Sequence, residues 1–348
     1  MASPFNRPPF PNQMSGVVGL HPQLLSYDSA RSNGMSIGWN AQGQPSQLAA
    51  FGQTVKYQWY AGKIERNAGG TLDYTPVEFG SLNLFPSDQL FQNFNGLFGQ
   101  MIIEPAGSTW QCDGPGGPVS CDPSGAPPTT RASATVTPPN ATKFREFSLM
   151  ISDDIRIVGE DPAGAVNYRT EPWNLRYDGN PTTDYSCMLS NQLVSGDPQT
   201  PIFTAEIGDR ARFRLTHPFG TGTSQVFSLH GHVWQRNPYT NNSREMGSNS
   251  LSQWIGSRDN HGSTDHFDLI VDKAGGELKQ AGDYLYSVFV PIQAKNGAWG
   301  IFRVGNNNAP VQSNAACTPV PLPAVKPAPK TDDLERFIRE PINKSPKP

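Results

Sequence analysis

The feature that most constrains this chain is a series of short runs rich in β-branched and aromatic residues, most of them bounded by Gly, Pro, Asp or Asn. TVKYQWY (54–60), QMIIEP (100–105), REFSLMI (145–151), PIFTAEI (201–207), ARFRLT (211–216), QVFSLHGHVW (225–234), HFDLIV (266–271), DYLYSVFV (283–290) and WGIFRV (299–304) have this form. Val, Ile, Phe and Tyr suit a pleated surface, and several runs alternate apolar with polar residues as half-buried strands do. Gly and Pro, 34 and 33 of them, supply the turns between runs. No long helical periodicity interrupts the pattern before the tail. An all-β chain of packed sandwiches is expected.

The 348 residues suffice for two domains, each with its own core. An internal repeat supports that division. Gly96-Leu97-Phe98-Gly99 leads into QMIIEP as Gly297-Ala298-Trp299-Gly300 leads into IFRVGN. The two copies lie roughly two hundred residues apart, too far for a solenoid and right for two homologous domains. The expected layout is an extended segment 1–17, an incomplete domain 18–106, a linker 107–143, a second domain 144–306 and a Pro-rich tail 307–348.

A net charge of −3 gives no reason to expect nucleic acid as a partner. No apolar run of about 18 residues is present to span a bilayer. Cys112 and Cys121 bracket CDGPGGPVSC, a loop whose composition favours closure by a disulfide. Zinc is the alternative there, but no second Cys pair or nearby His completes a tetrahedral set. Cys187 and Cys317 are candidates for a second bridge. The even cysteine count points to an extracytoplasmic compartment: secreted, periplasmic or cell-surface. Asn140 and Asn241 head glycosylation sequons. MASPFNRPPFPNQ has no apolar h-region, so a signal peptide is absent, removed or supplied elsewhere.

NGLFGQMIIEP (95–105) resembles the strand that closes a cupredoxin domain in multicopper oxidases. SLHGHVWQ (228–235) is similar to that superfamily's His-rich strand, and GDYLYSVFVPIQAKNGAWGIFRV (282–304) to its last copper strand and loop. SYDSARSNGMSIGWN followed by TVKYQWYAG resembles an earlier domain of bacterial members. The resemblance implies two tandem cupredoxin-like Greek-key β-sandwiches, the first incomplete, with copper as the family's cofactor.

The same resemblance locates the copper ligands, and most are replaced. A blue-copper site needs a thiolate, two imidazoles and often a weak axial Met. The aligned positions read Ser287, Val288, Phe289, Gln293 and Ala298. Upstream, Gln225 and Ser228 stand where imidazoles are expected, and His230 alone keeps a ligand position. His21 matches one member of a His-x-His pair whose second place is Gln23, and the other pair falls near Pro86 and Asp88. No cofactor is expected in the isolated chain, with copper the candidate if ligands are completed. The metal candidates are His230 and His232, at i and i+2 of a strand, with His261 and His266 from a neighbouring strand, and His21. A packed, hydrogen-bonded remnant is the competing reading of the His230/His232 pair. His217, before Pro218, reads as a turn residue, and Asp153, Asp154 and Asp265 as loop or cap residues.

Three functions follow as expectations. The first is a non-catalytic cupredoxin pair within a larger secreted oxidase-like assembly, inactive as an isolated chain. Its partner would be another cupredoxin-containing chain or a second copy, completing the first domain's edge. The second is an active copper oxidoreductase that oxidises a metal ion or phenol with oxygen as acceptor. The third is an extracellular binding or assembly module using strand addition.

Overall fold

The structure is a computed structural model. It describes residues 15–36, 47–89, 91–114, 117–121, 132–155, 163–176, 188–189, 197–220, 224–240, 243–289 and 291–305. Cys187, Cys317, Asn241 and the tail beyond 305 lie outside the described residues.

The chain is all-β, as the short runs required. The N-terminal part contributes β1 (Leu20–Pro22), β2 (Ser26–Tyr27), β3 (Trp59–Tyr60), β4 (Gly62–Arg66), β5 (Leu72–Pro76), β6 (Gly80–Pro86) and β7 (Gly99–Ile103). β8 (Thr109–Gly114), β9 (Gly117–Ser120), β10 (Ser133–Thr137), β11 (Phe144–Ile155) and β12 (Ala163–Val166) follow. The remainder holds β13 (Ile202–Ala205), β14 (Ala211–Phe219), β15 (Gln225–Leu229), β16 (Trp234–Gln235), β17 (Trp254–Ile255), β18 (Ser257–His261) and β19 (His266–Val271). β20 (Gly282–Val288), a single helical turn α1 (Pro291–Lys295) and β21 (Trp299–Val304) complete it.

Two sheets make the C-terminal sandwich. One runs β19-β14-β11-β10-β8-β9 with β12 also on β11, and the other runs β13-β21-β20-β15-β18. β11 and β14 are parallel because β13, between them in sequence, crosses to the opposite sheet and pairs parallel with β21. That interleaved order is a Greek key. Strand parity builds the core: Ala211, Phe213 and Leu215 of β14 face Phe147 and Leu149 of β11, Leu269 and Val271 of β19, and Phe203, Tyr286 and Phe302 across the gap. Phe147 stacks on Phe203 at 4.9 Å, and Phe213 meets Phe302 edge-on at 5.2 Å, the offset geometries ring quadrupoles favour.

The opposite parity of the first sheet is polar yet mostly buried. Glu146 and Ser148 of β11, Arg212, Arg214 and Thr216 of β14, and Asp268 of β19 alternate with the core residues. The three-stranded sheet β1-β6-β7 covers this second face. Gln100 of β7 donates to Arg214 O at 2.9 Å and Thr216 Oγ1 at 3.1 Å, while the Ser81 hydroxyl donates to Leu215 O at 3.1 Å. The result is three layers, and β14 is buried along its whole length.

Two parts of the chain differ from the local pattern. The polar segment 107–143, read as a linker, carries β8, β9 and β10, which extend the large sheet through β10–β11 pairing. Cys112–Cys121 is a disulfide, and it ties the β8–β9 hairpin, register Cys112 against Val119. The run 54–60 pairs as a strand only at Trp59–Tyr60. Before that point side chains hold it: Gln58 N–H donates to Ser32 Oγ at 3.0 Å, and Tyr57 hydroxyl to Gln47 O at 2.5 Å.

Candidate functional site

Each of the candidate histidines has a defined place. His230 and His232 do not share a strand face, because β15 ends at Leu229 and Gly231 turns the chain at φ +71°. A Cβ at Gly231 would sit 2.9 Å from the Tyr284 ring, so glycine is required on both counts. His230 is left exposed while His232 is buried. Both ring nitrogens of His232 are engaged: Nδ1–H donates to His230 O at 2.9 Å and Nε2 accepts Gly275 N–H at 3.0 Å. Burial lowers its pKa, consistent with the neutral tautomer those bonds require. His232→Leu would leave Gly275 N–H buried without an acceptor, and is expected to cost about 2 kcal/mol. Denaturant unfolding checks this, and an unchanged midpoint would remove the structural role.

His21 sits on β1, opposite Phe85, with Nδ1 at 2.9 Å from Asn33 O and its ring edge-on to Tyr27. His266 opens β19 opposite Thr216. His261 ends β18 opposite Gln225 of β15.

The structure assembles a group that local reading separated. His217 continues the core parity of Ala211, Phe213 and Leu215, and is fully buried near the end of β14 rather than set in a turn. That parity was readable in ARFRLTH, and Pro218 obscured it. Its ring lies 5.1 Å from the equally buried His261. His217 Nε2 is 3.3 Å from Asp153 Oδ1, and Gln225 Nε2 donates to Asp153 Oδ2 at 2.8 Å. Asp153 is thus an interior residue of β11, fully buried, and not a loop cap. Gly220 closes over the pair, since a Cβ there would collide with the Asp153 carboxylate. Asp265 Oδ2 stands 3.7 Å from His261 Nδ1. Burial foremost pushes the His261 pKa down to about 4. Among the polar atoms here, both ring nitrogens of His217 and of His261, Asp153 Oδ1 and Gln225 Oε1 have no hydrogen-bond partner of good geometry. Of Asp154 the side chain lies outside the described residues.

The positions aligned with copper ligands form no donor set. The Gln225 amide is turned to Asp153, Ser287 is buried in β20, and Ala298 carries no donor. Gly164 of β12 is packed so closely that a Cβ would lie 2.5 Å from Ala298 Cβ and 3.0 Å from Gln293 O. Among the described residues no three His, Cys, Asp or Glu side chains form a metal-holding group, and the described cysteines are joined to each other. A soft-sulfur copper site does not fit this set.

No family model and no curated protein matches the sequence. The solved structures it matches include copper proteins of the cupredoxin fold. They include a multicopper oxidase at 12% identity and TM-score 0.42, covering 83% of this chain and 70% of that one. A copper nitrite reductase from Nitrosomonas europaea matches at 13% identity and TM-score 0.43, covering 88% and 80%. A laccase from Botrytis aclada matches at 15% identity and TM-score 0.44, covering 88% of this chain and 47% of the laccase.

Proposed function

We propose that this chain is a non-catalytic cupredoxin-like subunit that gives structural support within an extracytoplasmic, oxidase-like assembly. The observation that carries the reading is the closed donor set: at the aligned ligand positions Gln225 bonds Asp153, Gln293 and Ala298 crowd Gly164, and Ser287 is buried in β20. Electron transfer through blue copper needs a thiolate in that place. The disulfide Cys112–Cys121 supports an oxidising compartment. No helix among the described residues is long and apolar enough to cross a membrane.

A surface for another chain is offered by the β4–β5 hairpin. Ile64 pairs with Tyr74 and Arg66 with Leu72, so Ile64, Leu72 and Tyr74 share one face, and all three are exposed. Another cupredoxin-containing chain is the partner this reading favours.

Metal analysis of the purified chain, its visible spectrum and an oxidase assay with added copper test the proposal. The expected result is no stoichiometric copper, no blue band and no turnover with a phenol or a reduced metal ion. Stoichiometric copper with turnover would establish the oxidoreductase reading instead.

A further inference from the structure

The charged contact between the β1-β6-β7 sheet and the sandwich carries an inference independent of copper. Arg214, fully enclosed, binds Glu146 through Nε at 3.0 Å, Asp268 through Nη1 at 3.0 Å, and Glu104 through Nη2. Arg212 binds Glu78 at 2.7 Å and Glu104 at 3.2 Å while lying 4.0 Å over the Phe144 ring. All six side chains are at most 9% exposed. Four carboxyl groups therefore face two guanidinium groups in an interior that screens charge poorly. Arginine stays charged, so full ionisation would leave two uncompensated negative charges.

We propose that this interface is a proton-dependent latch, in which Glu146 holds a proton while β6 and β7 are docked and its loss loosens the docking. The location makes the proton consequential. Glu78 lies two residues before β6 and Glu104 immediately follows β7, whereas Glu146, Arg212, Arg214 and Asp268 belong to the sandwich. Among the described residues, other groups facing the cluster include Tyr239, whose hydroxyl donates to Phe79 O at 3.0 Å, Met246, whose N–H donates to Glu78 Oε2 at 2.8 Å, Ser81, whose N–H donates to Asp268 Oδ1 at 3.2 Å, Trp110 beside Glu146, and His266 beside Asp268. Burial foremost, with the Asp268 and Glu78 charges and against the pull of Arg212, pushes Glu146 up to about 8. Burial also raises Asp268 and Tyr239. The proton leaves to bulk water as pH rises, and the carboxylate stays behind opposite Glu104 and Asp268.

The test is hydrogen exchange of the full chain, read on peptides from β6 and β7 and corrected for the intrinsic exchange rate. A site titrating near 8 when docked and normally when undocked loses about tenfold protection between pH 7 and pH 9. That loss is expected in β6 and β7 but not in β20 and β21, and Glu146→Gln is expected to abolish it. A flat profile in the natural chain, or the same loss in Glu146→Gln, would overturn the latch. Should Glu146→Gln not fold, infrared spectroscopy of the natural chain decides. A protonated carboxyl band at neutral pH that disappears by pH 9 supports the latch, and its absence overturns it.

Discussion

Arg214→Leu is expected to destabilise the chain by about 3–5 kcal/mol, because it strands buried carboxylates rather than merely deleting a contact. The guanidinium is fully enclosed and touches Glu104, Glu146 and Asp268, with Met246 Sδ also against it at 2.9 Å. Leucine fills part of the space but satisfies none of those oxygens. The natural pair partners contribute little net stability against an apolar replacement of the whole cluster, since desolvating the charged groups costs about as much as their attraction returns. Removing one partner alone is the damaging change. Denaturant unfolding at pH 7 measures it, and the loss shrinks at lower pH as the stranded carboxyl groups take up protons. A change below about 1 kcal/mol would mean that water or rearrangement relieves the network. Arg145 with Asp113 supplies the contrast, because those side chains are 13% and 32% exposed. Partly solvated pairs of that kind are worth about 1 kcal/mol or less.

Acid is expected to weaken the fold through His261. Its folded pKa, near 4, lies below the ordinary histidine value of 6.5, chiefly through burial, with His217 and Arg258 adding to the effect and Asp265 opposing it. A depressed histidine contributes stability that is fully present above pH 6.5 and is lost as pH falls toward 4. Between pH 7 and pH 4 that loss amounts to about 3 kcal/mol. Glu146 acts with the opposite sign: its raised pKa of about 8 makes stability grow as pH falls from 8 toward the ordinary value of 4.5. Over pH 6.5 to 4.5 the two partly cancel, so the natural chain alone gives a muted profile. The measurement is therefore unfolding free energy against pH for the natural chain beside His261→Gln. The stability difference between them is expected to shift by about 3 kcal/mol against the natural chain between pH 7 and pH 4. Parallel profiles would show that His261 is not buried and neutral as described.

Local pattern alone determined the all-β class and most of the sandwich strands. Alternation in REFSLMI, ARFRLT and HFDLIV reports which side chains face one way, and that depends only on the two-residue period of a strand. The close spacing of Cys112 and Cys121 around a Gly-Pro loop likewise made their bridge legible. Strands β8 to β10 were hidden because Asp113, Gly114, Gly117, Pro118 and Ala134 belong to residue types depleted in strands, and pairing with β11 holds the group in the sheet. β6 was hidden for a similar reason, since GSLNLFP mixes apolar residues with Gly, Asn and Pro.

What only the tertiary structure decided is what lies opposite each face. Arg212 and Arg214 in ARFRLT read locally as a solvated face, yet the third layer encloses them with Glu78 and Glu104 from far upstream. His217, Asp153, Gln225 and His261 come from four strands, and no spacing along the chain announces their meeting. Gly231 turns the chain just past the end of β15 and sends the rings of His230 and His232 apart, where alternation alone placed them together. Strand period is a local property of the backbone, whereas burial and charge compensation are set by which distant segment packs against it.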